Sequence, residues 1–122
     1  MNRNEIYKIN DKIFMQYYAL PQELFKNPLY KKLSIEAKVL YAFLLDRVTL
    51  SQKSNWINPN EEVYLIFTRK EAMNTLNISK PTSIKAFKQL VDVGLIREQK
   101  HRANSPKLIY VCKMIPYDEW SY

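Results

Sequence analysis

Three observations in this 122-residue sequence predict an α+β fold, a winged helix-turn-helix with an additional N-terminal arm and β-hairpin. First, two capped helical segments, "RKEAMNTL" and one running from residue 80 to near Val93, are separated by a very short link, the spacing of a helix-turn-helix. Second, two strand candidates follow, "LIREQKH" and "KLIYVCKM", around the basic turn-forming "RANSP". Third, the charge is lopsided: of a net +7, residues 69–107 carry +6, from nine Lys/Arg against Glu71, Asp92 and Glu98. Such a local excess is expected of a surface that meets a polyanion, the alternative being a solvated basic face with no partner.

Each element can be justified in chain order. The stretch "KIFMQYYALPQELFKNPLY" is rich in aromatics and broken by Pro21 and Pro28, which predicts extended structure and then a short helical turn. Ser34 suits the N-cap of "IEAKVLYAFLLDRVTLSQK", where Ala37, Leu40, Tyr41, Leu44, Leu45 and Val48 recur at helical spacing. In "NWINPNEEVYLIF" two apolar stretches flank an Asn-Pro-Asn turn, and a β-hairpin is expected. Thr68 and Glu71 form a capping-box pattern that opens "RKEAMNTL", with Ala72, Met73 and Leu76 facing inward and Asn77 as its stop. Ser79 then caps the next helix, Pro81 sits in its first turn where a missing amide costs nothing, and Gly94 lets the chain leave it. We therefore expect one domain over 1–122: an arm, 1–32, a winged-helix core, 33–112, and an extension, 113–122.

Several chemistries are set aside by composition. Gly94 is the only glycine, so no glycine-rich phosphate loop, dinucleotide fingerprint or nucleophile elbow can be written with these residues. One histidine, His101, and one cysteine, Cys112, do not make a usual zinc site or a supported triad. Cys112 reads as a small hydrophobe in "LIYVCKM", and Glu61 and Glu62 read as a turn rather than an acid/base pair. Neither enzymatic activity nor a metal or cofactor is expected. No apolar run approaches the roughly 20 residues that cross a bilayer, and "MNRNEIYKIND" lacks the apolar centre of a signal peptide, so a cytoplasmic protein with no membrane partner is expected.

The candidate site is the second helix of the pair and the wing. With a buried stripe of Ile84, Phe87, Val91 and Leu95, the opposite face holds Thr82, Lys85, Ala86 and Gln89, with Lys80 and Ser83 beside it and Lys88 flanking the core side. Lysine can donate to guanine O6 and N7, glutamine can pair with adenine, and the methyls of Thr82 and Ala86 can touch thymine. Ser79 and Ser83 at the helix start suit a phosphate oxygen. Arg97, Lys100, Arg102 and Lys107 would neutralise phosphates from the wing. The plainer alternative is a solvated amphipathic helix. A winged helix that binds proteins would instead show an apolar outer face, against which the charge argues.

The run from Leu33 to Ile96, above all "AKVLYAFLLDRVTLSQKSNW" with "VYLIF", and "YALPQELF" before it, resembles the N-terminal domain of the RepA-N family of plasmid replication initiators, in particular those of staphylococcal multiresistance plasmids. The resemblance covers nearly the whole chain; the "GLI" ending is common to many winged helices. It implies double-stranded DNA binding at origin repeats (iterons), as a homodimer, followed by a linker and a C-terminal domain for host replication factors. That second domain is absent from this sequence, which therefore looks like an isolated N-terminal domain. The residues alone lead only to a winged-helix DNA binder, and a transcriptional regulator at an operator would share every physical feature. The resemblance also tips the arm toward dimerisation through Phe14, Met15, Tyr17, Tyr18, Leu20 and Phe25, which otherwise would fold back on the first long helix.

Overall fold

The computed structural model describes residues 4–116. Its elements run α1 (Glu23–Lys26), α2 (Ile35–Lys53), α3 (Arg69–Leu76), α4 (Lys80–Asp92), β1 (Ile96–Gln99) and β2 (Leu108–Val111). Local chemistry sets the helix ends. The Ser34 hydroxyl accepts the Ala37 amide at 3.1 Å and starts α2. Thr68 and Glu71 satisfy each other's backbone amides in a full capping box at the head of α3. Asn77 ends α3 in the left-handed region, φ 54°, a conformation that Asn tolerates better than most residues. Ser79 takes the Thr82 amide to start α4, and Gly94, φ +79°, turns the chain toward β1.

Three helices and the wing enclose one core. α2 packs on α3 and α4, and small residues, Ala37, Ala72 and Ala86, are buried within it. Around them Leu40, Leu44, Phe67, Phe87, Leu90 and Leu95 are covered completely or nearly so. β1 and β2 pair antiparallel with Ile96 opposite Val111 and Glu98 opposite Ile109. Ile96 and Ile109 close the core from the sheet side. The Tyr41 hydroxyl reaches across from α2 to the Cys112 carbonyl at 2.8 Å. Burial, with Cys112 and Tyr30 nearby, pushes this phenol up to about 12, so it remains a donor at any ordinary pH.

Two expectations are corrected here. The predicted hairpin at 55–67 is reduced to a single bridge between Ile57 and Val63. Its tip is drawn tight because the Asn58 side chain accepts the amides of Asn60 and Glu62, while Glu61 takes φ 62°. Its second arm then leaves its partner and joins the wing, where Leu65 and Ile109 exchange both backbone hydrogen bonds at 2.9 and 2.8 Å.

The arm is also shorter than 1–32. Leu24, Tyr30 and Leu33 belong to the core, and Asn27 is wholly buried. The Asn27 amide donates to Glu23 and to the Ile115 carbonyl, its oxygen accepts the Leu29 amide, and the Ile115 amide donates to the Tyr30 hydroxyl. Asn27 thus ties residues 21–33 to residues 113–116, whose Met114 packs against the core. The rest of the expected extension, 117–122, lies outside the described residues. Among the described residues no helix is long and apolar enough to cross a membrane.

Candidate nucleic-acid interface

The orientation of α4 decides which side chains can meet a ligand. Its buried side is Ser83, Ala86, Phe87 and Leu90, and Ile84 and Val91 are instead 47% and 39% exposed. The helix is therefore turned relative to the stripe of Ile84, Phe87 and Val91 that the sequence suggested. α4 packs against both α2 and α3, and Ser83 and Ala86 fill the contacting side together with Phe87 and Leu90. Ala86 is 1% exposed and cannot face outward, and Ser83 is fully covered, its hydroxyl donating to the Arg69 carbonyl at 2.9 Å. Gln89 is half-buried, and its side-chain oxygen accepts the Ser34 amide at 3.0 Å, so it serves the start of α2 rather than a free surface.

The outward side of α4 carries Lys80, Pro81, Ile84, Lys85, Lys88 and Val91. Lys88 forms an exposed i,i+4 pair with Asp92 at 2.8 Å, a contact of little energy in water. Thr82 is half-buried and accepts a hydrogen bond from the Ser79 hydroxyl at 2.9 Å, so the two hydroxyls at the helix start are engaged with each other. Ile84, Lys88 and Val91 are exposed positions that sequence reasoning assigned elsewhere. The period 83, 86, 87, 90 was as good as 84, 87, 91, but it includes a serine and an alanine and so had less apolar weight.

Arg69 locks the helix pair to the wing. Its guanidinium holds both carboxylate oxygens of Glu98, one at 2.7 Å, and lies 4.2 Å from the centre of the Phe87 ring. Burial alone would raise the Glu98 carboxyl, but the Arg69 hydrogen bond and charge, with the charge of Lys107, outweigh it and hold the group below its usual range. This joint links the head of α3, the centre of α4 and the middle of β1.

Around this joint the surface is basic. Arg97, Lys100, Arg102 and Lys107 are all exposed on or beside the wing, as expected, and Lys70 adds an exposed charge at the head of α3. Together with Lys80 and Lys85, these seven cations have no ion pair among the described residues. The predicted arm residues are also exposed: Phe14, Met15, Tyr17, Tyr18, Leu20 and Phe25 each show 40% or more of their surface. Tyr18 lies over Phe43 with centroids 4.0 Å apart, and the Lys38 ammonium sits 4.5 Å from the Phe25 ring centre, so those two touch their own domain.

Comparison with known proteins gives a consistent pattern. Residues 16–121 match the family model described as Replication initiator protein A (RepA) N-terminus. A "41 kDa protein" of Lactobacillus helveticus is 26% identical over 117 residues, covering 91% of this chain and 32% of that protein, so the chain spans about a third of its relative's length. Among solved structures, an "N-Terminal domain of DNA binding protein" superposes with TM-score 0.78 at 27% identity over 98% of this chain and 92% of that one. A "Structure of Rep-DNA complex" gives 0.76 at 30% identity over 87% and 83%, and a "Structure of MDR initiator" gives 0.73 at 33% identity over 90% and 94%.

Proposed function

The chain belongs to the Replication initiator protein A (RepA) N-terminus family, and from that premise we propose that it is the sequence-specific duplex-DNA-binding part of a plasmid replication initiator. The outward side of α4 enters the major groove and the wing follows the phosphate backbone. One observation carries this reading: seven exposed cations without ion pairs among the described residues gather on α3, α4 and the wing, around a helix whose other side is fixed in the core.

Within α4, Lys85 and Lys88 donate to guanine acceptors, and Ile84 supplies the apolar contact for a thymine methyl that Ala86 is too buried to make. Lys80 and Thr82 stand at the helix start, near the backbone. Arg97, Lys100, Arg102 and Lys107 supply phosphate neutralisation without sequence choice. The DNA is taken to be a set of repeats in a cytoplasmic plasmid origin, bound by a homodimer whose recognition helices stand about 34–36 Å apart. The exposed aromatic surface of the arm supports a contact between copies. Host replication factors belong to other parts of the initiator, and no catalytic step enters this reading.

The test is binding to an origin repeat and to random duplex of equal length. Lys85→Ala should cost about 1 to 3 kcal/mol on the repeat and relax preference at one base pair. Equal weakening on both duplexes removes Lys85 from direct readout. Arg102→Ala should weaken both and make the salt slope shallower by roughly one. Footprinting on the parent replicon should protect tandem origin repeats; protection of a lone operator beside a gene would make the protein a transcriptional regulator.

A further inference from the structure

The wing sheet has a second face, turned away from the core, and its composition differs from that of α4. Arg97 pairs with Tyr110 and Gln99 with Leu108, and directly opposed residues share one face of a sheet. Leu65, bridged to Ile109, faces the core, so its neighbours Tyr64 and Ile66 join Tyr110 on the outer side. Trp56 comes from the first arm of the hairpin and stacks on Tyr64, with centroids 5.9 Å apart and planes 21° from parallel. Tyr64 in turn meets Tyr110 at 6.3 Å. The three rings border a hollow of about 380 Å³ to which His101 contributes.

These rings are not core filling. The core has its own aromatics, Tyr30, Tyr41, Phe67 and Phe87, all buried, while Trp56 is 43% exposed and Tyr64 and Tyr110 are half-buried. Arg97 shares their face, and Lys100 and Arg102 extend the positive charge toward the wing tip. Glu98 is turned to Arg69 and does not offset it. Glu62, at the hairpin turn, is held by Asn58, whose amide also reaches the Tyr110 hydroxyl at 3.5 Å.

We propose that this face binds an unpaired nucleic-acid strand. Its bases stack on Trp56, Tyr64 and Tyr110, and Arg97, Lys100 and Arg102 draw its phosphates. Aromatic rings in a basic setting suit this ligand because every base has a π-face, so affinity needs no particular sequence. A duplex keeps its bases stacked on one another and cannot use the rings in this way. The basic border selects a polyanion over an apolar protein surface. The site is separate from the outward side of α4, so it stands or falls independently of the duplex reading, although the wing cations can serve both.

The experiment is titration of the full chain with a labelled oligothymidylate of about 15 nucleotides and with a duplex of the same length. A Trp120→Phe background leaves Trp56 as the only tryptophan, and its emission should be quenched by the single strand. Trp56→Ala and Tyr110→Leu should each weaken single-strand binding by about tenfold and leave duplex affinity within about twofold, while Tyr110→Phe behaves as the parent. Tyr110→Leu keeps the face covered, so it reports on the ring even where Trp56→Ala loosens the hairpin. An abasic strand of equal length should bind the parent about as weakly as the variants bind oligothymidylate. Equal affinity of parent and variants for the single strand, or tight binding of the abasic strand, would overturn the proposal. Parallel loss of duplex binding would do so too, as would self-association that Trp56→Ala abolishes, since the latter makes the face a protein contact.

Discussion

Between residues 4 and 20 the chain presents Ile6, Ile9, Phe14 and Tyr17 to solvent, whereas from Glu23 onward Leu24, Tyr30 and Leu33 are covered. The two stretches are alike in composition, and hydrophobicity alone does not separate them. Polar anchoring does. The second is pinned by the hydrogen bonds of Asn27 and Tyr30 to residue 115 and by the Lys38 ammonium on the Lys31 carbonyl. The first has one local turn, in which Lys8 and Asp11 bond each other. Ordering a backbone costs about 1–2 kcal/mol per residue, and the single ring contact of Tyr18 with Phe43 does not offset it along the whole stretch within one copy.

The largest effect expected is on the body. Phe87→Ala removes a fully buried ring from between α2, α3 and the Arg69 guanidinium and should cost about 3 to 5 kcal/mol in urea unfolding. Adding a deletion of residues 2–18 to that variant should leave the cost unchanged, since distant sites without shared partners add independently.

Asn27→Ala addresses the anchor itself. It removes the three hydrogen bonds that a wholly buried side-chain amide makes with Glu23, Leu29 and Ile115 and should cost about 2 to 3 kcal/mol. Hydrogen exchange should also report lost protection at the Ile115 amide. A cost below about 1 kcal/mol would mean that apolar packing alone distinguishes the two stretches.

Glu98→Gln breaks the joint between α3 and β1 and should cost about 1 to 2 kcal/mol near neutral pH, discounted for the partial exposure of Arg69. The folded carboxyl is held below its unfolded value, so its contribution is present above the unfolded pKa and is lost as pH falls through the folded one. Thermal unfolding of parent and variant should therefore converge as pH drops through the carboxylate range. A difference that persisted in acid would assign the cost to packing rather than charge.

The smallest effect belongs to the arm. Deleting residues 2–18 should change the stability of the monomer by no more than about 0.5 kcal/mol, because residues 4–18 are all exposed within one copy. If the proposed contact between copies runs through the arm, sedimentation equilibrium on the same variant should move toward monomer. A deletion that stays dimeric would place the contact between copies elsewhere.

What was legible in the sequence was what local chemistry controls. Ser34, the Thr68–Glu71 box, Asn77, Ser79 and Gly94 marked the ends of α2, α3 and α4, because a cap is decided by residues a few positions apart. The wing strands were legible through the turn between them. The rotation of α4 was not, since it depends on how α4 packs against α2 and α3, and a pattern that weighs large aliphatics points to Ile84 and Val91 instead of Ser83 and Ala86. The hairpin was overread for a related reason: nothing local in "VYLIF" says that Leu65 will pair with Ile109 rather than across its own turn. The limit of the arm was hidden in Asn27, whose partner lies 88 positions away.

The bond from the Ser34 amide to Gln89 has a consequence for how this domain can change its target. A glutamine in a groove-reading helix is an obvious position to vary when a new DNA site is wanted, yet here it secures the first turn of another helix. On the reading proposed above, retargeting is thereby channelled to the exposed positions 84, 85 and 88, whereas each exchange at position 89 that loses the bond to Ser34 carries a stability cost of about 0.5 to 1.5 kcal/mol along with any new specificity.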